Sequence, residues 1–353
     1  MWTNWGRGPK PLHLHIQEFK DLIEGEAEIY MLFHQMFDEL PLNAQFNETP
    51  IGSPQVRDYA HMLELINSIM TTALAFDKTG LVGFPINAIL DWPMGTPGGF
   101  AAFLNDKVNA QLRKILYQWA AFLSSPDSRI VLTNDPKDGW FGRDAMAAMP
   151  DFEKKFICDP GQPSYGFASR DNFFTQQFRD RQRHVAASGN DLVSVNACES
   201  APYRTARNVR LSDRFWIKAQ PYSIRHMYAD DPLFKQFVGG MVCQAFLSAL
   251  SYHRWHSPVS GTIVKAIMID GAYYSEAPAV GFDPLAPNES QSYSTEVAPR
   301  AILLIPADNP RIGLMCVMPV GMAEVSTCVV TVYVGQHVNK GDQICKFHKC
   351  DFK

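Results

Sequence analysis

The stretch Ser257-Pro258-Val259-Ser260-Gly261-Thr262-Ile263-Val264-Lys265-Ala266-Ile267-Met268-Ile269-Asp270-Gly271-Ala272-Tyr273-Tyr274 decides the fold class. It reads as strand, turn, strand, with β-branched and long apolar residues in the runs and Gly or Pro where the backbone must bend. A second stretch, Val325-Ser326-Thr327-Cys328-Val329-Val330-Thr331-Val332-Tyr333-Val334-Gly335-Gln336-His337-Val338-Asn339-Lys340-Gly341-Asp342, repeats the pattern. It closes on Lys340-Gly341-Asp342, a hairpin-type turn in which Gly341 supplies the positive φ. Two such hairpins related by a pseudo-twofold predict a compact β-barrel or sandwich.

Outward from these stretches the chain divides by texture. Beyond about residue 190, short β-rich runs alternate with Gly, Pro and Asp. Before it, apolar residues recur at helical spacing. Ile16, Phe19, Leu22, Ile23, Ile29, Leu32, Phe33, Met36, Phe37 and Leu40 predict one amphipathic helix ending before Pro41. Val56, Tyr59, Met62, Leu63, Ile66, Ile69 and Met70 predict a second, opened by Ser53-Pro54. Phe100, Phe103, Leu104, Val108, Leu112, Ile115, Leu116, Trp119, Phe122 and Leu123 predict a third. The three are expected to pack on one another as structure. Asp91-Trp92-Pro93-Met94-Gly95-Thr96-Pro97-Gly98-Gly99 lacks the Lys-Ser/Thr ending of a phosphate loop and reads as a connecting loop. The expected class is α+β: a helical region over 1–150 packed on a β-rich barrel or sandwich domain over 151–353.

Composition limits the function. Of 353 residues, 46% are hydrophobic and 19% charged, which excludes a largely disordered chain. The net charge of −4 is not gathered into runs, so nucleic acid is not an expected partner. Seven scattered cysteines without a Cys-x-x-Cys pair argue against a disulfide frame and for a reducing, cytoplasmic setting. No apolar run reaches the length of a membrane span, and the first ten residues lack a signal-peptide core.

Two polar clusters could carry chemistry. Ser251-Tyr252-His253-Arg254-Trp255-His256-Ser257-Pro258 offers two histidines three apart, usable as metal ligands, as acid and base, or as hydrogen-bonded core groups. On a helix they would share a face; on a strand they would face opposite sides. No third ligand lies nearby, which favours acid–base use over a metal. Asn196-Ala197-Cys198-Glu199-Ser200-Ala201-Pro202 follows an apolar run, and Glu199 could orient a histidine or simply cap a turn.

Tyr252-His253-Arg254-Trp255-His256-Ser257-Pro258-Val259-Ser260-Gly261 resembles the Tyr-His-Arg-x-His-x-Pro-x-x-Gly signature of phosphatidylserine decarboxylases. Tyr165-Gly166-Phe167 with Asn172 to Arg179, Trp216 to Ile224, and Val320 to Thr327 are similar to further segments of that family. Ile16-Gln17-Glu18-Phe19-Lys20 and Phe122-Leu123-Ser124-Ser125-Pro126-Asp127-Ser128 resemble the fungal branch that includes L-tryptophan decarboxylase.

The resemblance implies a pyruvoyl enzyme. In that family a serine attacks the preceding glycine carbonyl, the chain cleaves, and the serine becomes a pyruvoyl group capping the smaller chain. Its carbonyl takes the substrate amine as a Schiff base and draws off the electrons released with carbon dioxide. By position His256 corresponds to the histidine that activates the cleaving serine, with Glu199 behind it, and His253 to the histidine of the decarboxylation step. Tyr222 is assigned to substrate binding. The substrate implied is a small amino acid, L-tryptophan-like, or the phosphatidylserine of the wider family.

Three departures stand beside the match. Where Gly-Ser is expected, the chain reads Phe347-His348-Lys349-Cys350-Asp351-Phe352-Lys353, and Cys350 lies in no context that would let a thiol replace the serine. Gln176-Gln177 replaces an arginine, and Arg183-His184-Val185 replaces Arg-Pro-Val. The expectation is a decarboxylase whose sequence stops before its pyruvoyl-forming serine, some strands short of a closed sheet. The alternatives are a catalytically dead member that binds an active homologue, or a substrate, without chemistry, and, behind it, a zinc hydrolase using His253 and His256; pairing with a separate small chain is a further expected partnership.

Overall fold

Among the described residues, helices predominate up to residue 124 and short strands beyond 200, in a computed structural model that describes residues 11–40, 56–77, 84–211, 223–248, 251–277 and 291–348. The helix expected from Ile16 to Leu40 is two, α1 (Leu14–Gly25) and α2 (Ala27–Glu39). Glu26 between them is extended (φ −112°, ψ 110°) and returns its amide to the Leu22 carbonyl. The apolar phase survives the break, because Ile16, Phe19 and Ile23 of α1 and Ile29, Phe33 and Met36 of α2 are all buried. α3 (Tyr59–Ile69) starts at Asp58, whose carboxylate accepts the His61 amide; Ser53-Pro54 lie outside the described residues.

The expected loop over 91–99 is largely helix. Asp91 to Met94 form the end of α4 (Pro85–Met94), and only Gly95 and Thr96 separate it from α5 (Pro97–Leu104). Turn formers of that stretch start a helix: Pro97, like Pro85 at the start of α4, sits at a first-turn position where no amide is needed, and the Thr96 hydroxyl accepts the Gly99 amide. Gly99 is required by close approach, since a Cβ there would lie 1.8 Å from the Pro93 oxygen. Asn105 then caps α6 (Asp106–Ser124) through the Lys107 and Val108 amides, dividing the third expected helix in two. The helical segments do pack on one another, around Phe19, Phe33, Phe103 and Trp119.

Three short helices follow, α7 (Arg143–Ala148), α8 (Phe152–Lys155) and α9 (Arg170–Phe174). They gather Trp140, Phe141, Phe152, Phe156, Phe167, Phe173 and Tyr252 into a separate aromatic core. The β region holds β1 (Ala201–Arg207), α10 (Ile224–Met227), β2 (Met241–Phe246), β3 (Arg254–His256), β4 (Gly261–Thr262) and β5 (Lys265–Ile269). It continues with α11 (Gln291–Val297), β6 (Arg300–Pro306), β7 (Leu314–Val317), β8 (Thr327–Val330), β9 (His337–Val338) and β10 (Gln343–His348).

The strands form small antiparallel sheets, β1-β2, β3-β10-β8, β4-β9 and β5-β6-β7. Among the described residues no sheet closes into a barrel, so the α+β class stands without that detail. The two repeated stretches also differ from expectation, since the strands of the first, β4 and β5, pair with β9 and β6 instead of with each other, and β3 just before them pairs with β10. The backbone bonds explain it: the Ser257 amide donates to the Asp342 carbonyl (2.7 Å), and the Gly341 amide donates to the Ser257 carbonyl (2.8 Å). Groups that a local hairpin would have used are thus taken by the Lys340–Asp342 turn. Among the described residues no helix is long and apolar enough to cross a membrane.

Glu324 fastens the helical region to the strands. Its side chain is fully buried just before β8, and Oε1 accepts the amides of Ile86 (2.6 Å) and Asn87 (2.8 Å) in the first turn of α4. Asn109 Oδ1 of α6 accepts the Tyr273 amide (3.0 Å), and Arg113 pairs with Asp270 at the surface. Glu324→Ala would strand two buried amides at about 1–3 kcal/mol each, whereas Glu324→Gln keeps an oxygen for them. Urea unfolding is therefore expected to rank wild type above Glu324→Gln and Glu324→Gln well above Glu324→Ala.

Candidate active site

The Tyr-His-Arg-Trp-His run lies on β3 and the residues leading into it. Extended backbone sends alternate side chains to opposite faces, so Tyr252, Arg254 and His256 share one side, and His253 and Trp255 the other. The two imidazoles therefore cannot converge on one ion. One edge of β3 pairs with β10; along the other, the His256 amide donates to the Ala197 carbonyl (2.7 Å) and the Val195 amide to the Pro258 carbonyl (3.0 Å). The two polar clusters of the sequence are thus brought side by side.

His256 is buried, with both ring nitrogens engaged. Nδ1 lies 2.8 Å from the Gly341 carbonyl oxygen and Nε2 3.1 Å from the Tyr252 hydroxyl. A carbonyl only accepts, so Nδ1 carries the hydrogen and Nε2 the lone pair, to which Tyr252 donates. Burial first, then the Arg183 charge, pushes the imidazole from 6.5 down to about 4, against the opposing Gly341 bond. Arg183 Nη1 donates to the same Gly341 oxygen (3.2 Å).

The turn that presents this oxygen is fixed from several sides. Gly341 has φ +95°, and a Cβ on it would meet Val185 Cγ2 at 2.5 Å. The adjacent Lys340 is buried and donates to the carbonyls of Ala187 (2.6 Å), Asn190 (2.9 Å) and Val193 (3.1 Å). The Tyr252 ring packs 4.4 Å from Phe178, and burial pushes its phenol up to about 12.

Glu199 is exposed and its Oε2 accepts the Tyr252 amide (3.1 Å), so it meets the residue that holds His256 and not the ring nitrogens themselves. His253 is buried with its ring stacked on Phe174 (3.9 Å, 22°), and its carbonyl accepts the Phe347 amide at the end of β10. Arg254 is structural: Nε and Nη2 donate to the Thr175 carbonyl, Nε also to that of Gln176, and Nη1 to the Gln343 side chain. Tyr222 and Cys350 lie outside the described residues. Arg183 and Gly341 entered the sequence reading only as a motif departure and a turn; their nearness to His256 has no local signal.

Two family models, both described as phosphatidylserine decarboxylase, match residues 13–149 and 171–349. The L-tryptophan decarboxylase of Psilocybe cubensis is 37% identical, over 94% of this chain and 77% of that protein. Its counterpart in Psilocybe cyanescens is 38% identical over the same shares. Phosphatidylserine decarboxylase proenzyme 3 of Schizosaccharomyces pombe is 28% identical over 52% of this chain and 18% of its own length. The chain belongs to the phosphatidylserine decarboxylase family.

Two of the segments that carried the family resemblance meet in space, while most of a third, Trp216 to Tyr222, lies outside the described residues. The Phe173-Phe174 segment supplies the ring beneath His253, the signature strand supplies both histidines, and the segment around Glu324 anchors α4. In this family member the His256 depression has a thermodynamic consequence. An unfolded histidine protonates near 6.5 and the folded one only near 4, so the unfolded state binds more protons between those values. The stability contributed by neutral His256 is present above about pH 6.5 and is lost as the pH falls toward 4. NMR titration is expected to place His256 near pH 4, and His256→Asn to flatten the fall in unfolding free energy across that window.

Proposed function

We propose that this chain removes the carboxyl group of a free aromatic amino acid, L-tryptophan or a close analogue, by pyruvoyl-dependent chemistry. One observation carries the reading: the two Psilocybe tryptophan decarboxylases match across 94% of the chain, whereas the Schizosaccharomyces pombe phosphatidylserine decarboxylase matches across 52%. A helical region ending near residue 150 and a catalytic region beyond it are part of the proposal, as is a cytoplasmic setting.

The site's surroundings fit a host for the pyruvoyl group. β10 runs past His253, whose carbonyl holds the Phe347 amide, and β3 presents His256 on its other face. The precursor pair is not found there, because residues 349–353 read Lys-Cys-Asp-Phe-Lys without Gly-Ser. Once formed, the group would supply an electrophilic carbonyl that captures the substrate amine and accepts the electrons released with carbon dioxide. His256, kept neutral by burial and by Arg183, is assigned as the base, with its lone pair on Nε2. His253, clamped on Phe174, is assigned to the decarboxylation step, and Glu199 supports the site through Tyr252.

The test is protein made from its complete gene, weighed intact and treated with phenylhydrazine. A cleaved chain whose smaller fragment takes up the hydrazine, together with tryptamine formed from L-tryptophan, is the expected result. A single uncleaved species with no adduct and no amine product would overturn the proposal; ethanolamine phospholipid formed in place of tryptamine would overturn the substrate.

A further inference from the structure

The protonation state of His256 is set by two groups that a carboxylate–histidine pair would not use. Nδ1–H points at the Gly341 carbonyl at 2.8 Å, and the Tyr252 hydroxyl donates to Nε2 at 3.1 Å. Tyr252 is 4% exposed, its ring fixed against Phe178 and Phe156, and its amide donates to Glu199 Oε2 at 3.1 Å. A chain of contacts therefore runs from the Glu199 carboxylate to the Tyr252 backbone, along its ring to the hydroxyl, and on to the imidazole.

We infer that the Gly341 carbonyl and the Tyr252 hydroxyl orient His256, and that Glu199 reaches it only by positioning Tyr252. The inference rests on the role given to His256 in the proposed function, but it concerns the ring itself. Tyr252 is a positioning residue: it reserves the Nε2 lone pair and holds the ring plane until the hydrogen of a nucleophile takes the hydroxyl's place. The charges that face the ring are Arg183 beside Gly341, Arg254 on the same strand and Asp342 in the turn. Arg183 and Arg254 disfavour the imidazolium, and Asp342 favours it.

Glu199 and Tyr252 variants separate this arrangement from a direct acid–histidine pair. If Glu199 only accepts an amide hydrogen, Glu199→Gln keeps that bond through its amide oxygen. The His256 15N resonances at pH 7 should still report hydrogen on Nδ1 and none on Nε2. In a protease triad the acid-to-amide change costs about 10⁴-fold and forces the wrong tautomer. Tyr252→Phe keeps the packing and removes the hydroxyl. It is expected to shift the Nε2 resonance and the midpoint of the His256 titration and to lower turnover tenfold or more.

A Glu199→Gln variant with the hydrogen moved to Nε2, or a Tyr252→Phe variant whose His256 resonances and titration match wild type, would overturn the inference. The NMR readout needs no turnover. Expected resonances in a protein that never yields an amine would defeat the proposed function and leave the orientation of His256 standing. Should Tyr252→Phe fail to fold, fluorotyrosine at 252 keeps the ring and acidifies the hydroxyl, and the Nε2 resonance must then move with the phenol's acidity.

Discussion

A carboxylate with no access to water holds the two halves of this molecule in register. Burying a charge costs several kcal/mol unless hydrogen bonds and a favourable field offset it. Glu324 has both, because its oxygen receives two amides at the positive end of α4. The rest follows along the chain. Glu324 lies three residues before β8, β8 pairs with β10, β10 pairs with β3, and β3 carries His256.

Helices were readable where side chains alone decide them, because buried residues such as Phe19, Ile66 and Trp119 fall on one stripe. Their ends were less readable. The apolar phase runs unbroken across Glu26 and Asn105, so nothing in the spacing marks the bends there; the Asn105 cap marks its break only once its bonds to Lys107 and Val108 are seen. Between α4 and α5 the same residues that stop a chain also start a helix, and Pro and Gly were read in the first sense only. In the β region the strands were legible and their partners were not, since pairing is fixed by contacts such as Ser257 with Gly341 that no local pattern encodes.

The site shows the same division. The histidines and their strand were identifiable from the signature, and opposite faces followed from strand geometry. The groups that set the state of His256 were not, because Gly341 lies 85 positions away and acts through a backbone oxygen that every residue possesses. The buried cations share this trait. Lys340, Arg254 and Arg300 all donate to main-chain carbonyls. Dipoles can satisfy a cation's hydrogens without cancelling its charge, and of these cations Arg254, together with Arg183, disfavours the imidazolium of His256.

The interlocked pairing of β3 with β10 and of β4 with β9 also bears on how the molecule is made. During synthesis the signature strand leaves the ribosome long before its partners exist, and neither of its neighbours in the chain can stand in for them. His256 thus stays without its Gly341 carbonyl until the 85 positions that separate them have emerged. Such non-local closure is slow, and it would keep the surroundings of His256 from assembling on a nascent chain. The imidazole would then take up its buried, neutral state only after the fold has closed around it.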